Sequence, residues 1–409
     1  MNCRHCGSEI RHNFVDLGYA PPSNAYLSRD QLSAPEVYLP LRVVVCDRCW
    51  LVQTEDYATA ESLFKNDYAY FSSTSTSFLK HAEIYCEEIM RRLSLSSDSF
   101  VIEVASNDGY LLKNFVKAGV PCLGVEPTKD TANAAKNLGI EVIDEFFSED
   151  LATSLVREGR TADLVIGNNV FAHVPNINDF TKGLAALVKP EGVITLEFPH
   201  LLQLIENSQF DTIYHEHFSY LSLTTVQSIF EGAGLRVWDV DQLPIHGGSL
   251  RVYGCLKDAN FECSPAVDAL VNLEESAGLS SPAAYLAFQD QAERIKDDLL
   301  MFLLEAKRDG KSIAAYGAAA KGNTLLNYAG VKTDLISYVC DAALAKQGKF
   351  LPGSHIPVCS PDRLMTDQLD YILVLPWNLI DEVSSQLAEI TTQGAKLVTA
   401  IPSLKILDL

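Results

Sequence analysis

Two periods of apolar and polar positions alternate along this chain, and the switches between them mark out its elements. Near the N-terminus, RHNFVDLGY (11–19) and YLPLRVVV (38–45) carry the alternation of half-buried strands, with the turn PPSN (21–24) between them. A polar stretch, FSSTSTS (Phe71 to Ser77), precedes a helical pattern from Phe78 to Leu95 whose apolar residues recur three to four apart. Beyond it strand and helix take turns. SFVIEVAS (99–106), CLGVEP (122–127), EVID (141–144), DLVIGNN (163–169) and GVITLEFP (192–199) read as strands. Between them YLLKNFVKAG (110–119), TKDTANAAKNLG (128–139) and DFTKGLAALVK (179–189) read as helices.

Strands interleaved with crossover helices predict a parallel sheet covered on both faces. LRVWDVDQLP (235–244) and SLRVYGCLK (249–257), joined by IHGG, predict a closing hairpin with an antiparallel edge strand. The Ser/Pro-rich SAGLSSPAAY (276–285) marks a boundary, and a long amphipathic helix to about Asp309 follows it. The alternation then resumes in SIAAYG, LISYVCD, DYILVLP and AKLVTAIP, enough for a second, smaller α/β layer. The fold class is therefore α/β, in three units: residues 1–75, 76–278 and 279–409.

Composition narrows the classes of function. A chain 47% hydrophobic and 21% charged is an ordinary globular protein, but 32 Lys+Arg against 53 Asp+Glu leave a net charge of −21 with no basic block. That balance repels a polyphosphate backbone, so nucleic acid is not an expected partner. MNCRHCGSEI has no apolar core of a signal peptide, and the uncharged run His217 to Phe230 is broken by Ser, Thr and Gln. The expectation is a cytoplasmic protein with no membrane partner.

The cysteines are unevenly placed. Cys3 and Cys6 form one CxxC pair and Cys46 and Cys49 another, closing a segment that holds both N-terminal strands. Each pair can turn two sulfurs to one point, and four thiolates fill a tetrahedral zinc, so residues 1–75 read as a zinc-binding module with a structural metal. No coordination position is left for catalysis. Loss of that metal is expected to cost solubility before chemistry.

In a doubly wound sheet, ligands sit at the carboxyl ends of the strands. The loop after the first strand of the second unit is Glu103-Val-Ala-Ser-Asn-Asp-Gly109, without the GxGxxG of a dinucleotide site. Glu126, at the end of the next strand, can accept both hydroxyls of a ribose, as in dinucleotide and S-adenosylmethionine sites alike. Either acid can equally serve as a cap: Glu103 for a loop, Glu126 for a helix start. In the last unit Tyr316-Gly317-Ala-Ala-Ala-Lys321-Gly322-Asn323-Thr324 follows a strand and opens a helix. Its order is not that of a Walker A motif, yet small residues and a lysine at a helix N-terminus suit a diphosphate. Asp341 echoes the ribose-binding acid of a dinucleotide fold.

EVASNDGYLL (103–112), GVEP (124–127), GNNVFAHVPN (167–176) and YHEHFSYLS (214–222), in this order, resemble one family. It is that of the S-adenosylmethionine-dependent sugar C-methyltransferases that methylate C-3 of nucleotide-linked 4-keto-deoxysugars. CRHCG with CDRCWLVQ is similar to the family's zinc-binding module, and YGAAAKGNTLLNYAG to its C-terminal domain. The resemblance implies a Rossmann-like methyltransferase domain holding S-adenosylmethionine through Glu103, Ser106, Asn107, Gly109, Glu126, Pro127, Asn168 and Asn169. It also implies a C-terminal Rossmann-like domain that helps to hold a dTDP-sugar, with Lys321, Asn323 and Tyr316 as contacts and Lys321 first in line for the diphosphate. A monomer or weak oligomer is expected.

Methylating carbon beside a ketone needs a base to form an enolate and a group to stabilise it. Tyr214-His215-Glu216-His217 is the densest acid–base cluster in the chain. An extended backbone would put Tyr214 and Glu216 on one face, and a helical one would pair Tyr214 with His217; the resemblance favours the second. It implies His217 as base with Tyr214 as partner or relay, Glu216 orienting a histidine or binding a sugar hydroxyl, and His173 and Tyr68 as further active-site groups able to hydrogen-bond the enolate oxygen. Methylation at C-5 or on oxygen of a nucleotide sugar, or a nicotinamide-dependent oxidoreductase, are the alternative activities.

Overall fold

A computed structural model describes residues 1–57, 59, 63 and 71–407. The N-terminal segment forms β1 (His12–Ala20), β2 (Leu39–Val45) and β3 (Val52–Thr54), paired antiparallel in that order. The two long strands are those expected from alternation; β3, three residues directly after the second CxxC, is too short to show a period.

The central sheet is built from β4 (Val101–Val104), β5 (Cys122–Val125), β6 (Glu141–Ile143), β7 (Ala162–Asn168) and β8 (Val188–Pro199), all parallel. β4 is buried at every position, which is why its sequence, VIEV, shows no polar face. After a two-residue strand, β9 (Ser219–Tyr220), come β10 (Leu235–Leu243) and β11 (Ser249–Leu256). They form the expected hairpin, and β11 inserts antiparallel beside β8 so that the order is β10-β11-β8-β7-β4-β5-β6. Helices cover both faces. The one at Thr76–Leu93 starts where Ser75 Oγ accepts the Phe78 N–H, an N-cap at the end of the polar FSSTSTS run.

The last unit carries β12 (Ile313–Tyr316), β13 (Val339–Cys340), β14 (Val358–Cys359), β15 (Tyr371–Val374), β16 (Lys396–Thr399) and β17 (Lys405–Leu407), ordered β14-β13-β12-β15-β16-β17 with only β17 antiparallel. β14 and β17, two and three residues long, were not foreseen.

Two joins matter for function. β9 is not part of the central sheet: it pairs with β3, as Val52 with Tyr220 and Gln53 with Ser219, and becomes the fourth strand of the N-terminal sheet. The main core is likewise shared. Phe14, Leu17, Val43 and Val45 pack in one cluster with Phe288 and Leu299 of the helix Phe288–Arg308 and with Ala315, Leu326 and Leu373 of the last unit.

Candidate functional site

The sulfurs of Cys3, Cys6, Cys46 and Cys49 lie within 4.8 Å of one another, with Cys3–Cys49 at 3.5 Å and Cys6–Cys46 at 3.6 Å. A tetrahedron with zinc–sulfur bonds of 2.3 Å has sulfur–sulfur edges of about 3.8 Å, so the four thiols fit the ion. The Gln53 amide donates to Cys3 Sγ at 3.3 Å and the Arg48 N–H to Cys46 Sγ at 3.4 Å, contacts that favour thiolate. The knuckle is bolted to the central domain. His5 bridges Asn178 and Ser228, and Arg4 reaches the Pro175 and Thr54 carbonyls with its guanidinium 5.5 Å from the Phe218 ring.

The β4 loop turns sharply, with left-handed backbone at Ala105, Asn107 and Gly109. At Gly109 a Cβ would meet Ile140 Cδ1 at 2.5 Å, so only glycine lets the loop close on the helix Lys129–Asn137. Glu126 braces this loop: one carboxylate oxygen accepts the Asn107 N–H at 2.9 Å, the other the Thr128 N–H and the hydroxyls of Thr128 and Thr131. The side chain expected to cap a helix start or to bind a ribose thus holds both the loop and the start of that helix, just before Pro127. Buried atoms around the loop have no partner: Glu103 Oε2, Ser106 Oγ, Asp108 Oδ1, Asn168 Oδ1 and Asn169 Nδ2. Burial, with Glu126, Asp108 and Glu197 nearby, pushes the Glu103 carboxyl well above its usual range. Unmet acceptors and crowded carboxylates match a ligand with hydroxyls, an ammonium and a sulfonium, so these residues fit S-adenosylmethionine. The polar run covers the loop through its backbone, since the Ser72 and Ser73 N–H groups donate to Asn107 and Asp108.

Tyr214–His217 is neither extended nor helical but a tight turn, closed by His217 N–H to Tyr214 C=O at 2.9 Å. The turn brings the first and fourth residues together, with Tyr214 and His217 rings 4.0 Å apart. His173 joins them, its ring 4.6 Å from that of His217. Each histidine donates Nδ1–H to a backbone carbonyl, His217 to Thr212 and His173 to Glu216, both at 2.8 Å. A carbonyl only accepts, so in the neutral ring Nε2 carries the lone pair. Burial holds His173 down to about 4, and burial with the neighbouring His173 holds His217 well below its ordinary value. Both rings are therefore neutral bases. This corrects one expectation: His173 has no ring N–H left to donate to an enolate oxygen. Glu216 meets His173 through its backbone carbonyl only, and its carboxylate accepts from Asn24 at 3.1 Å. Tyr68 lies outside the described residues.

From the last unit, the helix Ala320–Tyr328 reaches this turn, Thr324 Oγ1 donating to the Ile213 carbonyl at 2.8 Å. Lys321, one turn earlier, donates to Asn378 Oδ1 at 3.0 Å and lies 4.9 Å from the Trp377 ring. Asn323 is buried, its amide on the Ser23 carbonyl and its Oδ1 without a partner. Tyr316 is turned away from the turn at 214–217: its hydroxyl donates to Gln386 and its ring packs with Tyr338 and Ile372, whereas Ala315 faces the shared core. Successive strand residues point to opposite faces, so β12 cannot present both.

Several groups here had escaped notice. Glu197 and Arg251 are charges inside apolar strands, joined at 2.6 Å with His81 on the other carboxylate oxygen at 2.8 Å, and an isolated charge in a buried run is a readable signal. Asn24, Asp211 and Trp377 gave none, because only the tertiary fold brings them to the turn.

Three family models match successive stretches: "Putative zinc binding domain" over residues 3–64, "Methyltransferase domain" over 78–240 and "C-methyltransferase C-terminal domain" over 244–402. C-methyltransferase NovU of Streptomyces niveus is 35% identical over 406 residues, 99% of this chain and 96% of that one. Among solved structures, PH0226 of Pyrococcus horikoshii OT3 aligns with 47% of this chain and 100% of its own at 17% identity and a TM-score of 0.38. Magnesium protoporphyrin IX methyltransferase (ChlM) of Synechocystis PCC 6803 with bound SAM aligns with 49% of this chain and 99% of its own at 11% identity and a TM-score of 0.35. Scores this low carry no weight for activity.

Protein purified without chelator is expected to hold one zinc per chain by elemental analysis, and Cys46→Ser to lose it. Because β3 is bound to β9 beside the turn at 214–217, turnover should fall together with metal content, and not after solubility as the sequence suggested. A zinc-free variant with full turnover would refute that coupling. Glu126→Ala leaves the Asn107 and Thr128 N–H groups unpaired, and should weaken S-adenosylhomocysteine binding by about 1.5 to 3 kcal/mol, roughly ten-fold or more. Calorimetry reads this directly, and an unchanged affinity would remove Glu126 from the donor site.

Proposed function

This chain belongs to the C-methyltransferase family and is an S-adenosylmethionine-dependent enzyme with a zinc-binding N-terminal domain, and from that premise we propose that it methylates C-3 of a dTDP-linked 4-keto-deoxysugar through a base-generated enolate. The observation that carries the reading is the pair of buried, neutral imidazoles packed on a tyrosine, each with Nε2 as an acceptor. Such a pair suits proton removal from carbon. Transfer to a hydroxyl oxygen needs no enolate and no group to stabilise one.

When bound, S-adenosylmethionine supplies an electrophilic methyl group. Glu103, Ser106, Asn107, Gly109, Glu126, Pro127, Asn168 and Asn169 hold it in this reading, with Asp108 and the Ser72–Ser73 backbone closing the loop. His217 Nε2 takes the proton alpha to the ketone; the C–H electron pair becomes the enolate double bond as the carbonyl π pair moves to oxygen. Tyr214 against the imidazole fixes its plane and relays the proton. His173 buttresses His217, and its nearness is part of what keeps the His217 ring neutral before the proton arrives. Glu216, held by Asn24, binds a sugar hydroxyl with its unpartnered oxygen, and Lys321 meets the substrate from the last unit.

His217→Asn is expected to lower turnover by about 10² to 10⁴ while leaving S-adenosylhomocysteine binding intact. The same loss should appear in the exchange of the substrate's alpha hydrogen with deuterated water in the presence of S-adenosylhomocysteine, an assay of deprotonation alone. Exchange at the wild-type rate would pass the role to another residue, His173 first. The pH profile is a second check. Since burial depresses His217, its neutral form persists as pH falls through about 6.5, so exchange stays level there. An acid limb centred near the ordinary histidine value would contradict a buried base.

A further inference from the structure

The geometry points to Lys321 as the catalytic residue that holds the substrate's keto oxygen as it becomes the enolate oxygen, not as a ligand of the diphosphate. This inference rests on the ketosugar reading above. An enolate needs a donor aimed at its oxygen. His217 and His173 cannot supply one, because each has committed its single N–H to a carbonyl. Lys321 is an ammonium with only donors, partly buried and fixed by Asn378 and the Trp377 ring. Thr324, one helical turn further, grips Ile213, immediately before Tyr214, so the lysine sits on the helix face applied to the catalytic segment. Its charge is close enough to oppose protonation of both His217 and His246.

The diphosphate is poorly served by the same turn. Ala318 N–H already donates to the Asp341 carboxylate at 2.8 Å, and Lys346 and Tyr26 both donate to the Ala318 carbonyl. An anion already holds the place that a phosphate would take, and a second would be repelled. The groups facing Lys321 are Asp211 from the turn 210–212, which Trp377 Nε1–H also engages at 2.8 Å, His217, and His246 from the loop 245–247. Asp211 Oδ1 is buried without a hydrogen-bond partner, and its charge opposes, without cancelling, the lowering of the Lys321 pKa by burial. In the step itself, the proton passes to His217 Nε2 and the electron pair reaches the carbonyl oxygen, where the lysine N–H meets it.

The test is Lys321→Met, assayed by alpha-hydrogen exchange at saturating dTDP-4-ketosugar with S-adenosylhomocysteine bound, and by affinity for dTDP alone. Loss of one oxyanion donor should slow exchange by about 10² to 10³ with dTDP affinity unchanged. Exchange at the wild-type rate with dTDP affinity down ten-fold or more would overturn the assignment and return Lys321 to the diphosphate. If wild type itself exchanges no nucleotide ketosugar, it is the substrate reading that has failed. Should Lys321→Met not bind S-adenosylhomocysteine, Asp211→Asn carries the test. Removing that carboxylate lowers the lysine's pKa, so the alkaline limb of exchange should move to lower pH, and an unmoved limb would count against Lys321.

Discussion

The site depends on one short backbone pairing, that of Gln53 with Ser219. Gln53 is fully buried between the cysteine cluster and the turn at 214–217: its backbone pairs with β9, its side-chain amide donates to Cys3 Sγ, and its side-chain Oε1 accepts the Arg4 backbone N–H. Ser219 is two residues from His217. Immediately beside it the Thr54 N–H holds the Phe218 carbonyl, and the Phe218 N–H holds that of Ala172, next to His173. Metal, strand and both histidines therefore share one hydrogen-bonded path. A β3–β9 ladder this short has little stability of its own, so it persists because the sulfurs and the packed Arg4 fix β3 from behind.

The site is also divided electrostatically. On the donor side carboxylates gather around the β4 loop, and Glu197 is the one held down in its ionised range: burial would raise it, but His81 and Arg251 prevail. On the acceptor side the imidazoles are neutral and the cation is Lys321, with Asp211 raised by burial to about 6. In the proposed reaction this arrangement would hold a positively charged donor at the carboxylates and a developing negative charge at the lysine.

Much of the architecture was legible because the strands are buried on both faces and the helices on one, which writes period and apolar runs into the sequence. The four cysteines and the Glu103–Gly109 loop were legible for the same local reason: each acts within a few residues. The turn at 214–217 was harder. A choice between extended and helical misses the tight turn, though it shares with the helix the i, i+3 meeting of Tyr214 and His217. What stayed hidden is what distance in sequence conceals: β9, two residues whose partner is β3, and Asn24, whose partner is Glu216. Tyr316 and Lys321 lie five residues apart in one motif, yet only the lysine faces the turn, because a strand residue and a helix residue take their directions from different rules.

The shared core has a consequence for how the chain reaches this state on the ribosome. Phe14, Leu17, Val43 and Val45 emerge first, but Phe288, Leu299, Leu326 and Leu373, which cover them, emerge last. Until residues 201–220 emerge the first strands have only one another and their metal, and their apolar faces are fully covered only when the last unit follows. Early capture of zinc would hold β1, β2 and β3 in register through that interval. The metal would then act as a folding clamp before it supports a finished site.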